Sequence, residues 1–267
     1  MSDPVILTAR GLTAGYRSGR SATPVLSGLN LDLRRGEMVS LLGSNGIGKS
    51  TLLRTLTGVQ SPLAGTIEID GSPLAGYTVR QLARTLGIVY TDRTLAGALT
   101  VEELVGLGRH PYTGFFGRLS SDDRRIVARA MERAGIAHKR GEHLARLSDG
   151  ERQKTMIAKA LAQQTPIIIM DEPTAFLDAA SRIETMSLLH DLATDDNKAI
   201  LLSTHDIAPA IDLSHRLWIV KADHTLVDGT PDELTARTDG LPSLFDGRGV
   251  TFDPAARDFK ARRHNDG

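Results

Sequence analysis

The apolar positions of this chain change their period in a regular order, and that order predicts the layers of the fold. Residues 5–8 and 25–33, the latter with Leu26, Leu29, Leu31 and Leu33, read as antiparallel strand material. Residues 37–42 form a short apolar strand, and from Thr51 the pattern turns helical. A strand at 66–69, a helix at 79–86 and a strand at 87–90 follow, with Gly71 and Gly76 as punctuation. Beyond residue 150 the elements alternate: helix 151–164, strand 166–170, helix 179–192, strand 199–203, helix 207–213, strand 217–220. Such alternation predicts an α/β fold with a parallel sheet and helices on its faces.

Residues 92–150 interrupt that rhythm. Helical patterns at 101–108 and 121–134, rich in Arg and Glu, flank an aromatic loop with Tyr112, Phe115 and Phe116. The simplest organisation is an α/β core over 1–91 and 151–240, a helical insertion over 92–150 and a C-terminal extension over 241–267. In the extension Val250 and Phe252 alternate before a polar end, Lys260-Ala261-Arg262-Arg263, which reads as a short hairpin and a frayed terminus. The sequence assigns that extension no function.

Composition narrows the classes. A chain of 267 residues can bury the core of one large α/β domain with a smaller subdomain. Its 32 basic and 32 acidic residues balance, so nothing marks it as a nucleic-acid binder. Cysteine is absent, which excludes disulfides and thiolate metal sites and fits a reducing compartment. Met1-Ser2-Asp3-Pro4 shows no basic segment leading into an apolar run, so no secretion signal is expected. The apolar run at 166–170 is far too short to span a bilayer, so any membrane span must come from another chain.

The chemistry enters at Gly43-Ser44-Asn45-Gly46-Ile47-Gly48-Lys49-Ser50, a complete G-x-x-x-x-G-K-[ST] loop between a strand and a helix. Glycines let backbone N–H groups turn inward around phosphates, and the helix that follows aims its positive end at them. Lys49 is placed to reach the terminal phosphates of a nucleoside triphosphate, and the Ser50 hydroxyl to hold Mg²⁺, with Thr51 next in line. A chance glycine-rich turn is the bland alternative. Ile167-Ile168-Ile169-Met170-Asp171-Glu172 is an apolar strand that ends in two acids, at the strand edge where doubly wound sheets bind ligands. Asp171 is expected to orient Mg²⁺ water, and Glu172 to take a proton from the attacking water. Two solvated surface acids are the alternative there.

Leu147-Ser148-Asp149-Gly150-Glu151-Arg152-Gln153 resembles the signature motif of ABC ATPases, commonly Leu-Ser-Gly-Gly-Gln, in the place that family requires. Asp149 stands for the first glycine and Glu151 for the glutamine. Read on its own, Ser148-Asp149 is an ordinary helix cap. The resemblance implies a RecA-like P-loop NTPase core, an N-terminal antiparallel β-subdomain and the helical ABC subdomain as an insertion. It implies that Ser148 and Gly150 face the γ-phosphate held by the other subunit of a head-to-tail homodimer. Ala175-Phe176-Leu177-Asp178 looks like the D-loop, with Asp178 at the subunit junction. Ser203-Thr204-His205-Asp206 looks like the switch loop, with His205 on the γ-phosphate or the attacking water. Tyr16 matches the adenine-stacking aromatic; a core tyrosine is the alternative.

The resemblance covers residues from about 5 to 235. Residues 99–117, from Leu99-Thr100-Val101-Glu102-Glu103 to Tyr112-Thr113-Gly114-Phe115-Phe116-Gly117, look most like importer subunits for iron–siderophore, haem and vitamin B12 complexes. That likeness implies an ATPase with ATP and Mg²⁺, peripheral on the cytoplasmic face of the inner membrane. Its implied partners are transmembrane permease subunits and a periplasmic or surface solute-binding protein. The aromatic loop is then either a socket for a permease helix or the insertion's own small core. The rival class is a soluble ABC ATPase of DNA repair or translation; the long coiled coil of the one and the second cassette of the other are absent here. One departure stands out. Where the family has its Q-loop glutamine this chain has Tyr90-Thr91-Asp92-Arg93, so Asp92 is a candidate metal ligand, with a simple turn cap as the alternative.

Overall fold

The computed structural model describes residues 4–19, 21–90, 99–114, 116–244 and 249–261. Strands β1 (Val5–Ser18), β2 (Ser21–Arg34), β4 (Ala64–Ile69) and β5 (Ser72–Pro73) form an antiparallel sheet in the order β2-β1-β4-β5. Between them in sequence lie β3 (Met38–Gly43) and helix α1 (Lys49–Leu56). The first two strands run well beyond 5–8 and 25–33. Register shifts between Ala9 and Leu12 and on to Gly15 bend the pairing, and such bulges break the two-residue alternation by which strands are recognised.

Helix α2 (Val79–Thr85) and strand β6 (Leu86–Val89) lead into the helical layer of α3 (Val101–Gly106), α4 (Ser121–Arg133) and α5 (Asp149–Ala162). The chain then alternates through β7 (Ile167–Asp171), α6 (Ala179–Thr194), β8 (Ala199–Ser203), α7 (Ile207–Leu213) and β9 (Arg216–Val220). Strand β10 (Leu226–Gly229), helix α8 (Pro231–Ala236) and the hairpin β11 (Val250–Asp253) with β12 (Asp258–Ala261) complete the chain. The central sheet has the order β10-β9-β3-β8-β7-β6 and is parallel except for β10.

The helix expected at 101–108 stops at Gly106 and continues as a 3₁₀ turn, Leu107–Arg109. The helix expected from 151 begins at Asp149, because Ser148 and Glu151 close a capping box one turn earlier. The tail forms the expected hairpin. Sequence pattern missed β10 and α8, although Thr230 and Glu233 make a capping box with Pro231 in the first turn.

Alternation along the buried strands sorts the core. Ile167 and Ile169 pack with β1, β2, α1 and β4, while Ile168 and Met170 pack with α3, α4, α5 and α6. A third cluster joins Leu42, α7, β9 and α8 to Leu241, Leu244 and Phe252 of the extension. Each face of the sheet is therefore covered, and the C-terminal strand edges of β3, β7 and β8 are left to carry chemistry.

Candidate functional site

β3 delivers its chain into the loop 43–48, and α1 leaves from it. Gly48 caps α1 at φ +112°, and a Cβ there would lie 2.5 Å from Val25 Cγ1, so this position tolerates only glycine. Gly46 also has positive φ, +80°. The Lys49 ammonium is buried and donates to the Gly43 carbonyl at 2.7 Å and the Ser44 carbonyl at 3.3 Å. Burial pushes its pKa down, and the carboxylates of Glu172 and Asp171 oppose that shift. The lysine of the loop and the two acids of β7 thus share one electrostatic site. Ser50 is exposed at the helix start, and Thr51 is buried behind it. Tyr16, half-exposed on β1, is hydrogen-bonded through its hydroxyl to Thr51 Oγ1 at 2.7 Å. That bond ties the tyrosine to the first turn of α1, next to the loop, while half of its surface stays accessible.

The strand of four buried apolar residues, Ile167 to Met170, ends at Asp171 and Glu172. Glu172 has φ +48°, a left-handed backbone rare for a side chain without a local reason. Its N–H donates to Ser203 Oγ at 2.9 Å, and Ser203 Oγ donates to Asp171 Oδ1 at 2.6 Å. His205, at the end of β8, brings Nδ1 to 3.9 Å from Glu172 Oε2. A cleft of about 370 Å³ opens between these groups, lined by Gly43, Ser44, Asn45, Glu172, Thr204 and His205 among others. Loop, Glu172 and His205, far apart in sequence, converge there.

The donor set also suits a hard divalent cation. The Ser50 hydroxyl and the Asp171 carboxylate offer hard oxygen donors, and among the described residues no group of three or more His, Cys, Asp or Glu forms a dedicated cage. Mg²⁺ takes few protein ligands and completes its shell with water and phosphate oxygens. Asp92 lies outside the described residues, as do Thr91, Arg93 and Phe115.

Ser148 and Gly150 do not line that cleft. Ser148 caps α5: its hydroxyl accepts the Glu151 N–H at 3.3 Å and donates to Glu151 Oε2 at 2.9 Å. Bonds from the Ser148 N–H and hydroxyl hold the Glu151 carboxyl below its usual range, as does Lys139 at 3.2 Å. Within one chain the cap reading is therefore realised. Asp178 caps α6 in the same manner, accepting the Ser181 N–H at 2.8 Å. A Cβ on Gly150 would lie 3.1 Å from Ser181 Oγ, so the starts of α5 and α6 abut. Ser148, Gly150 and Asp178 form a second group, apart from the cleft.

The aromatic loop divides between packing and exposure. The guanidinium groups of Arg109 and Arg84 stand 4.0 and 4.8 Å from the Tyr112 ring centre, and the Tyr112 hydroxyl donates to the Gln163 carbonyl. Phe116 is 85% exposed. Sequence reasoning gave no role to Ser203, which bonds Asp171 and the Glu172 amide, or to Thr174, Asp206 and Arg182, which are bonded to one another through Asp206. Ser203 and Asp206 carried a signal, since they stand two residues before and one residue after His205 in the switch-loop motif.

A phosphate loop, paired acids and a histidine at the C-terminal edge of a mostly parallel sheet define a nucleotide-hydrolysing P-loop ATPase. Residues 26–175 match the family described as ABC transporter. An uncharacterised ABC transporter ATP-binding protein of Methanocaldococcus jannaschii is 34% identical over 259 residues, spanning 97% of this chain and 88% of that protein. The iron(3+)-hydroxamate import ATP-binding protein FhuC of Bacillus subtilis is 35% identical over 210 residues, 79% of this chain and 78% of that one. Among solved structures, a dimeric ATP-binding cassette bound to ADP and Pi in a post-hydrolysis state superposes with a TM-score of 0.69 at 30% identity, over 80% of this chain and 93% of that one. The chain belongs to the family of ABC transporter ATP-binding proteins, and it is an ATPase.

Proposed function

We propose that this chain is the ATP-hydrolysing subunit of an importer for a metal chelate, an iron–siderophore, haem or cobalamin-like solute. The observation that carries the ATPase half is the approach of His205 to Glu172 at 3.9 Å, with Glu172 also interacting with the charge of Lys49. Glu172 takes a proton from the attacking water, His205 holds the γ-phosphate or that water, and Lys49 neutralises the terminal phosphates. Mg²⁺, held by Ser50 and Asp171, would supply charge neutralisation on the phosphate oxygens when bound.

The importer half is supported by the likeness to the FhuC protein and by residues 99–117. Among the described residues no helix is long and apolar enough to cross a membrane; in this reading permease subunits supply the channel. The chain then works as a head-to-tail homodimer on the cytoplasmic face, with Ser148 and Gly150 of one copy on the nucleotide of the other. Closure pushes on the permease through residues 91–117. Arg80 and Arg84 both donate to the Pro111 carbonyl, at 2.9 and 3.0 Å, and fix the exposed loop of Phe116 against α2. A tagged copy should copurify from detergent-solubilised membranes with a polytopic protein, and the assembled complex should drive ATP-dependent uptake of a ferric chelate into vesicles. Recovery only with ribosomes or DNA would overturn the importer reading and leave the ATPase intact.

A further inference from the structure

The loop that carries His205 is joined to the loop that carries Asp178 by one buried carboxylate. The Asp206 side chain is 7% exposed. Its Oδ2 accepts from Thr174 Oγ1 at 2.6 Å and its Oδ1 from Arg182 Nη1 at 2.8 Å. The backbone N–H of Asp206 donates to Thr204 Oγ1 at 3.0 Å, which closes the turn around His205. The same Arg182 guanidinium donates through Nε to the Leu177 carbonyl at 2.9 Å. One planar group therefore holds the residue after His205 and the residue before Asp178. Thr174 stands two residues beyond Glu172. A lysine could keep the charge at Asp206 but not both directed bonds of the fork.

We infer that Arg182 and Asp206 are positioning residues for ATP hydrolysis. The strand ends that carry Glu172 and His205 are cross-linked at two levels, Ser203 to Asp171 at the sheet edge and Asp206 to Thr174 and Arg182 further out. His205 sits between those levels in sequence, so its ring keeps its place against Glu172 only while both hold. The outer level also reaches the cap of α6, whose Ser181 abuts Gly150. A shift of Asp178 and a shift of His205 are thereby one movement. The inference rests on reading Glu172 and His205 as the hydrolytic pair, and loss of turnover in Glu172→Gln and His205→Ala tests that reading separately.

The test uses the full chain, with steady-state ATP turnover, affinity for a fluorescent ATP analogue and thermal melting measured side by side. Arg182→Met should lower kcat roughly 10- to 100-fold, the cost of a displacement of about 1 Å at a reacting centre. Analogue affinity should stay within about twofold of the parent, because the phosphate loop is untouched. Arg182→Lys, which keeps the charge at Asp206, should recover part of the kcat. Asp206→Asn should match Arg182→Met, and the double variant should be no worse than the poorer single one. If Asp206→Asn does not fold, the two Arg182 variants decide alone. The inference is overturned by parent kcat in Arg182→Met, by parallel falls in kcat, affinity and melting temperature, by no recovery with lysine, or by additive losses in the double variant.

Discussion

In the register of β7 and β8, Ser203 stands directly opposite Asp171, and its hydroxyl donates to Asp171 Oδ1 at 2.6 Å. The same hydroxyl accepts the Glu172 amide at 2.9 Å. One small side chain thus sets the direction of the carboxylate proposed for the metal and holds the backbone that turns Glu172 into the cleft.

Ser203→Ala removes both bonds. The Glu172 backbone, at φ +48°, then loses the acceptor that pins it. We expect kcat to fall by about tenfold or more from misplacement of Glu172, with stability lower by about 1 kcal/mol for the lost buried bonds. Phosphate-release assays and chemical unfolding read the two effects apart. Ser203→Thr, which retains the hydroxyl, should stay near the parent. Full turnover in Ser203→Ala would show that strand register alone aims the acids.

Glu172→Gln keeps the shape of the side chain and removes the base. ATP binding should persist while hydrolysis falls by at least the ~10²-fold usual for a lost general base. An ATP-bound dimer should then accumulate on gel filtration with ATP and Mg²⁺. A variant that stays monomeric and hydrolyses at the parent rate would remove Glu172 from the chemistry.

The parts of this site that could be read from sequence are those whose chemistry is carried by neighbours in the chain. The loop 43–50, the acids after Met170 and the histidine after β8 each announce themselves by side-chain type beside an apolar strand. Ser203 on Asp171 and Arg182 on Asp206 depend on strand register and helix direction, separated by 32 and 24 residues, and no local pattern encodes them. The long β1 and β2 were underestimated because bulges around Gly11 and Gly15 break the alternation. β10, Leu226–Gly229, holds a single apolar pair followed by Asp-Gly, which reads as a turn, so no strand pattern registers.

Arg109 and Asp123 anchor the helical layer and give it a pH signature. Arg109 Nε donates to Asp123 Oδ1 at 2.8 Å, and Arg109 Nη1 reaches the Ala162 carbonyl at the end of α5. The Asp123 carboxyl is held below its usual range by the Ser120 hydroxyl first and by Arg109 next. A carboxylate with a lowered folded pKa stabilises fully above its ordinary pKa, and the contribution fades as pH falls through the folded value. Asp123→Asn should therefore cost about 2 kcal/mol at neutral pH, where Arg109 loses its charged partner. Urea unfolding of parent and variant should converge as pH falls below about 4, the ordinary carboxylate value. A gap that stays constant over that range would show that packing, not charge, holds the pair.

The separation of Ser148 and Gly150 from the cleft leads to the strictest test of a composite site. If the start of α5 acts on the nucleotide of a second copy, then damage to α5 and damage to the phosphate loop fall on different sites. Ser148→Arg puts a bulky cation where the γ-phosphate of the partner would sit, and should bind ATP through its own loop yet fail to hydrolyse it. Lys49→Ala should lose affinity for the nucleotide itself, since its ammonium is the buried charge of that loop. In a mixed dimer, one site pairs intact Lys49 with intact Ser148, and the other carries both lesions. Each variant alone should be inactive, and mixing should restore partial turnover with a maximum near equal proportions. Recovery that rises with the square of neither protein but with their product would identify the mixed dimer as the active species. Absence of recovery at every ratio, while cross-linking shows that mixed dimers form, would leave Ser148 as a helix cap and nothing more.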